Sequence, residues 1–528
     1  MYALINPSAP WLKAHIEGFV RQHVPDVVVV DDVGELPPGG AVDGLFQFCD
    51  GSSLGRSFAA ANAARRSLIN AYPNSDALAR KDHLAAVVGY WTAKRPGSVL
   101  GAHCPHTVPL TLDYAEFVDE ALAAADDLSL LASLEQNEAR EPRDREWWIL
   151  KPALVDSGMG IRLFSTVEEL ASHLELAEYE TDGDDDDDYE DDDDNDDDEG
   201  DGSEEETKAD VRDEQQQPPS LTTPGLQSLD ALFTVGRPTA TAREERKRNN
   251  DTTSTNNQNS TKKNRKPRYV FRAGGRIPSA QMRAFVAQRY VAAVPTLAGG
   301  RKWHVRAYAA AVGRLRVYVA RDMLVLLAAE PYAAPWEGTT AGGGGGGPGG
   351  GPDLRAALTN SAMRDDADVA SGRSMRAFWD DDVGEDDPPG AASSSSSSSS
   401  WKEDVFGQIC AVTGELFRAA AHATPDKFVA VDSSFEVFGL DFLLDTAGNA
   451  WLLEVNETPA FYDNPVAGPV ALRVLEAVIG TAMEHMGLAR VVGSDDPEKL
   501  AEVKGRLVEV LDARAELGKS NIAEIIPE

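Results

Sequence analysis

The chain has 528 residues and a formal net charge of −37, long enough for two or three domains and a large core. Residues 180–214 carry 23 acidic and two basic side chains, so most of that charge is local, and the moderately acidic remainder does not favour nucleic-acid binding by the body of the protein. Cys49, Cys104 and Cys410 lie far apart without CxxC spacing, a reduced, intracellular pattern that argues against a thiolate metal site, and the absence of any run of about 18 apolar residues predicts no membrane helix.

The opening MYALINPSAPWLKAHIEGF has no basic segment followed by an apolar one, so no secretory signal is expected. Residues 1–75 read as a small α/β domain. Tyr2–Ile5, Val27–Asp31 and Leu45–Cys49 are strand-like, with helices expected over Leu12–His23 and Phe58–Asn70. A helical stretch follows from Asp76 and carries ARKDHLAAVVGYW. Trp147–Pro152 (WWILKP) reads as a buried strand ending on a lysine. A turn at 156–160 (DSGMG) follows, then a second strand, Ile161–Phe164. Residues 181–267 interrupt the domain that starts at 76. Their acidic tract and Gln, Pro, Thr and Asn-rich segment cannot bury enough apolar surface to order themselves, and a disordered insertion is expected. Residues 268–292 return to that domain with Phe285–Val291 (FVAQRYV). Residues 293–490 form the next domain, with flexible insertions at 338–353 and 380–400, and 491–528 form a helical tail that includes Leu500–Leu517. Helices are also expected over Val405–Ala421 and Pro469–Met486.

Two strand pairs carry the chemistry. In Phe435–Asp445 and Trp451–Glu457, two apolar runs flank a turn built on Asp445, Gly448 and Asn449. Period-two alternation puts Leu452, Glu454 and Asn456 on one face, and a Thr446–Asn449 loop sets Asp441 opposite Glu454. Like charges across a sheet repel unless a cation sits between them, and oxygen ligands of this kind suit Mg²⁺. The second pair, Arg301–Ala311 and Leu315–Arg321, flanks Gly313-Arg314. Lys302, His304 and Arg306 share a face, and a two-residue turn sets Arg306 opposite Arg321. Clustered cations of this kind call for an anion such as phosphate. Lys151, on a buried strand, and Lys81, a weaker candidate, are further phosphate contacts. A cationic clamp and a carboxylate cluster in one chain suggest a nucleoside triphosphate bridged by Mg²⁺.

Taken in order, ARKDHL, WILKP with DSGMGI, FVAQRYV, RKWHVRAY, LRVYVARDMLVLLAAEPY, LTN at 358–360 and FEVFGLDFLLDTAGNAWLLEVNETPAF resemble the tubulin–tyrosine ligase family of the ATP-grasp superfamily. The resemblance covers most of 76–490 outside the insertions and implies an α+β, ATP-grasp fold preceded by the small N-terminal α/β domain. It assigns Lys81 and Lys151 to the ATP phosphates. Gln288, Arg289, Tyr290 and Val291 become the hinge that contacts adenine. Lys302, Arg306 and Arg321 become contacts to phosphate or to the reacting carboxylate, Thr359 and Asn360 line the site, and Asp441, Glu454 and Asn456 hold Mg²⁺. His304 stands where the family usually has an acidic residue, which bears on recognition of the amine more than on ATP.

The activity so implied is ATP-driven amide formation. A carboxylate of a protein acceptor, tubulin or another acidic-tailed protein, is activated as an acylphosphate, and the amino group of a free amino acid then displaces phosphate. Arg306, Arg321, Glu454 and Asn456 carry the catalytic roles in this reading. The alternative is a catalytically reduced ATP-binding protein that serves as a partner-binding component, for example of mRNA-processing bodies. A cytoplasmic location is expected, with nuclear or processing-body association as the variant, and neither membrane nor nucleic acid is expected as a partner.

Overall fold

Short apolar runs separated by one amphipathic helix make a parallel sheet at the N-terminus. Strands β1 (Tyr2–Asn6), β2 (Val28–Val30), β3 (Leu45–Cys49) and β4 (Ser67–Leu68) lie in the order β2-β1-β3-β4. The computed structural model describes residues 1–37, 42–49, 60, 64, 66–155, 158–177, 276–337, 352–360, 363–384, 398–488 and 497–517. The helix Lys13–Arg21 lays Ile16 and Val20 on β1 and β3. A helix reaching Asn70 is not found. Ser67–Leu68 pairs with β3 instead, and Ile69 bridges to Ser434 of a distant strand, because this pairing buries Leu68 and Ile69 completely.

The second sheet is antiparallel. Strands β5 (Thr107–Thr111), β6 (Trp148–Pro152), β7 (Arg162–Phe164) and β8 (Ala284–Arg289) lie in the order β5-β8-β6-β7. Alternation along β6 sends Trp148 and Leu150 into a core with Phe164, Leu170 and Phe285. It leaves Ile149 and Lys151 on the opposite face.

The third sheet is built around β10 (Arg301–Val312), a 12-residue strand. Its neighbours are β9 (Thr296–Leu297), β11 (Arg316–Ala320), β12 (Leu324–Pro331) and β14 (Phe435–Leu444). Strand β13 (Met375–Ala377) extends β12, β15 (Ala450–Asn456) extends β14, and β16 (Leu507–Asp512) extends β11. Trp303, Val305, Ala307, Ala309 and Ala311 face a core closed by the helices Lys81–Lys94 and Ser398–Ala423. On the other face Tyr308, Ala310 and Val312 pack with the helix Ala467–His485 and the N-terminal sheet. Only the first half of that face, at Lys302, His304 and Arg306, is left for chemistry.

Three expectations change here. The turn between β10 and β11 has three residues, not two, with Gly313 and Leu315 both at positive φ, so Val312 pairs with Arg316. Arg306 therefore lies opposite Leu324 on one side and Asp441 on the other, and not opposite Arg321. Leu500–Leu517 is not one helix. A helix runs over Pro497–Gly505, and alternation in Leu507–Asp512 then yields β16, which buries Leu511 in the main core. Finally, part of the span 380–400 is packed: Val383 is buried and Gly384 rests on Trp401, while 398–400 begin the helix that continues to Ala423. The expected insertion at 181–267 lies outside the described residues, as does most of 338–353.

Candidate active site

The hairpin β14–β15 sets the acidic side. Asp441 pairs with Glu454 and Gly439 with Asn456, so these three polar side chains share one face. Between Glu454 and Leu452 the register slips, and Leu453 is the extra residue of a β-bulge. The slip corrects the simple alternation. Leu452 turns to the core with Val455, while Leu453 lies beside Glu454 facing the cleft. Asp445 caps the turn by accepting from the backbone N–H groups of Ala447 (3.0 Å) and Asn449 (2.8 Å).

Asp441 is buried and held by Arg306, which donates from Nε to Oδ1 (2.5 Å) and from Nη2 to Oδ2 (2.9 Å). Burial alone would raise the pKa of Asp441, but the Arg306 charge and His304 outweigh it and hold the carboxyl far below its ordinary range. His304 Nε2 lies 3.5 Å from Asp441 Oδ1, and its Nδ1 is 2.7 Å from Thr359 Oγ1. The amide of Asn456 donates to Asp441 Oδ2 at 3.4 Å.

The basic side comes from three strands and a helix. Lys151 donates to Gln288 Oε1 (2.8 Å), and Gln288 donates in turn to Thr107 Oγ1 (3.1 Å). Lys302 donates to the Tyr290 hydroxyl (2.9 Å) and stands 4.1 Å over the Tyr290 ring. Neither lysine has a carboxylate partner among the described residues. Burial lowers the pKa of Lys151 to about 8, only partly offset by Glu454, and burial together with the Lys151 charge lowers that of Lys302 to about 7. Lys81 donates to the Val155 carbonyl (3.0 Å), with Nζ 3.7 Å from Glu454.

A cavity of about 630 Å³ opens on these groups, lined by Lys81, Lys151, Gln288, Tyr290, Val291 and Leu453. A smaller chamber shares Lys151, Gln288, Arg289, Tyr290, Val291 and Leu453 with it and adds Lys302, His304, Thr359, Asn360, Asp441 and Glu454. Apart from Arg306, Arg321 and Asn456, every residue singled out in the sequence therefore lines one of the two chambers. Arg306 and Asn456 join through Asp441. Arg321 does not join. It pairs with Glu403 (2.6 Å) and stacks on Trp379 and Phe406, on the face covered by the helix Ser398–Ala423. Arg289 reaches the chambers, but its guanidinium pairs with Glu146.

Two buried lysines without counter-charges suit an anionic polyphosphate. Among the described residues no three His, Cys, Asp or Glu side chains converge on a common metal position. Asp441, Glu454 and Asn456 nonetheless fit Mg²⁺, which takes one or two carboxylates and completes its shell with water and substrate phosphates. Sequence reasoning missed Arg364. It is buried, and it donates to the Thr359 carbonyl beside His304. It sits four residues beyond Asn360, where no periodic pattern marks it. Among the described residues no helix is long and apolar enough to cross a membrane.

Residues 242–497 match the model of the Tubulin-tyrosine ligase family. A Schizosaccharomyces pombe protein named "Probable tubulin--tyrosine ligase" is 29% identical over 386 residues, covering 73% of this chain and 69% of the relative. A Saccharomyces cerevisiae protein with the same description, PBY1, is 26% identical over 453 residues, but this chain spans only 46% of its length. The crystal structure of the C-terminal domain of K. lactis Pby1, described as an ATP-grasp enzyme interacting with the mRNA decapping enzyme Dcp2, superposes with a TM-score of 0.54. The match is 21% identical and covers 97% of this chain and 99% of that domain. Family and fold support an ATP-dependent ligase. The fold is thus ATP-grasp, and over residues 242–497 the chain is similar to the tubulin–tyrosine ligase family.

Proposed function

We propose that the chain joins an amino acid to a carboxylate of a protein acceptor at the expense of ATP. One observation carries this reading: two buried lysines without counter-ions, Lys151 and Lys302, share a chamber with the carboxylates Asp441 and Glu454. Lys81, Lys151 and Lys302 orient the phosphates, and the Gln288–Val291 segment receives the base. Asp441, Glu454 and Asn456 hold Mg²⁺, which neutralises charge on the phosphate oxygens when bound. A carboxylate oxygen attacks the γ-phosphorus as ADP leaves, and an amine then attacks the acyl carbon as phosphate leaves. Arg306 offsets the charge where the two anions meet. Arg321 has no part in the proposal, since its guanidinium is engaged elsewhere. Incorporation of radiolabelled amino acids into purified tubulin and into cell lysate, with and without ATP, tests this reading. ATP-dependent labelling by one amino acid supports it, and absence of labelling by all of them sinks it.

A second reading has its own support. Both oxygens of Asp441 accept from Arg306, and His304 stands beside them, so an expected metal ligand is already engaged. That arrangement suits an ATP-binding component that acts through a partner, and K. lactis Pby1 is described as interacting with Dcp2. ATP binding without amino-acid incorporation distinguishes it.

A further inference from the structure

Beside His304 and Thr359 lies a cation that lines neither chamber and has no carboxylate partner among the described residues. Arg364 is 8% exposed. It donates one hydrogen bond, from Nη2 to the Thr359 carbonyl, while its buried Nε and Nη1 have no hydrogen-bond partner among the described residues. Its charged neighbours do not neutralise it. Asp441 is bound at both oxygens by Arg306, and Arg306 acts on Arg364 as a like charge. Burial lowers the pKa of Arg364 to about 10, far too high to discharge it at neutral pH. Thr359 ties the group together, holding His304 through its hydroxyl and Arg364 through its carbonyl, while His304 Nε2 faces Asp441 Oδ1 at 3.5 Å. Two guanidinium groups thus flank a single carboxylate, and a desolvated charge without a partner is costly unless a ligand completes it. Nε and Nη1 lie on different edges of the guanidinium, and one of them together with the second N–H of Nη2 makes a two-donor edge that matches a carboxylate.

We propose that Arg364 anchors a substrate carboxylate beside Thr359 and His304, at the margin of the chamber given to the nucleotide. The inference rests on the ligase reading, which requires two carboxylate-bearing substrates: the acceptor, and the amino acid whose own α-carboxylate stays unreacted. Arg364 is a positioning residue, and its loss acts on the binding of one substrate rather than on the nucleotide.

The test compares wild type with Arg364→Met, which keeps the volume and removes the charge, and Arg364→Lys, which keeps the charge and removes the fork. Calorimetric titrations use an N-acetylated tetraglutamate peptide, and free tyrosine, glutamate and glycine with their α-amides, each with and without a non-hydrolysable ATP analogue and Mg²⁺. The expected result is at least a tenfold loss of affinity in Arg364→Met for one probe class, a partial recovery in Arg364→Lys, and unchanged affinity for the nucleotide. Loss confined to the peptide assigns the acceptor. Loss confined to free amino acids, with the amides already weak in wild type, assigns the donor. Arg364→Met is also expected to melt at or above the wild-type temperature in carboxylate-free buffer, which separates lost binding from lost folding. Carboxylate binding equal in all three proteins, no carboxylate binding by wild type, or a matching fall in nucleotide affinity overturns the proposal. Nucleotide binding by wild type, read in the same titrations, reports on the ligase reading separately.

Discussion

At the scale of single residues, the buried lysines make nucleotide binding proton-linked. Lys151 and Lys302 have free-state pKa values of about 8 and about 7, and a bound triphosphate favours their charged forms. The complex then holds more protons than the free protein, so ATP affinity is expected to fall as pH rises from 7 to 9. Calorimetry in buffers of different ionisation enthalpy should show proton uptake, smaller in Lys302→Met. Glu436 has the opposite interest. Burial raises its pKa well above the ordinary carboxyl range while it accepts from the Tyr72 backbone N–H (2.9 Å) and lies 3.4 Å from the Ser75 hydroxyl. Its folded-state pKa exceeds the unfolded one, so its contribution is fully present in acid and is lost as pH rises towards the folded value. Glu436→Gln should therefore leave stability unchanged near pH 5 and raise it by roughly 1 kcal/mol near pH 8, as read from melting curves. Lys302 and Asp441 were legible because strand alternation assigns each a face, and Lys151 because it ends a strand apolar enough to be buried. Arg364 was not, because nothing local to residues 360–364 predicts a buried guanidinium. Arg321 was misplaced because one extra turn residue changes what it faces.

Elements explain both the correct and the missed register. The loop is one residue longer than the expected Thr446–Asn449, since Leu444 and not Asp445 pairs with Ala450, and the Leu453 bulge offsets the difference and restores the expected Asp441–Glu454 pairing. Neither the extra loop residue nor the bulge could be read from the sequence, since an inserted residue leaves hydrophobicity almost unchanged. Strand β14 also passes close to the segment leaving β15. A Cβ at Gly439 would meet Pro459 Cβ at 2.9 Å and Arg306 Cδ at 3.1 Å. Gly439→Ala should displace Arg306 from Asp441 and lower turnover at least tenfold while the melting temperature falls by only a few degrees, and an unchanged rate would argue against the role given to Arg306. Strand β16 was read as helix because Leu500–Leu517 is apolar at several spacings, and the break at Gly505 decides otherwise. Ending the chain after Gly505 exposes the edge of β11 and removes buried Leu511 and Ala513. A loss of at least about 2 kcal/mol is expected, measurable by urea denaturation.

For the whole molecule, the described sheets and cores all belong to Met1–Glu178 and Tyr269–Glu528. Removing 181–267 should leave the melting temperature within a few degrees of the intact chain. The same deletion probes whether the Asp-rich run at 184–199 competes with an acidic acceptor. If it does, the KM for an acidic peptide falls, and an unchanged KM would make the run a passive connector. The family resemblance lay in motifs separated by these insertions and survived because most of the motifs fall in strands or helices that line the cleft or support it. The overall charge, by contrast, says little about the cleft, whose cations are buried among few acids.

One contact has a temporal consequence. Ile69 runs beside Ser434, and Tyr72 donates to Glu436 across 364 positions of sequence. A ribosome must therefore translate most of the message before the first segment finds its final neighbours. Nascent chains stalled before Ser434 should accordingly remain protease-sensitive near Tyr72 and engage chaperones, whereas chains released beyond Asn456 should not.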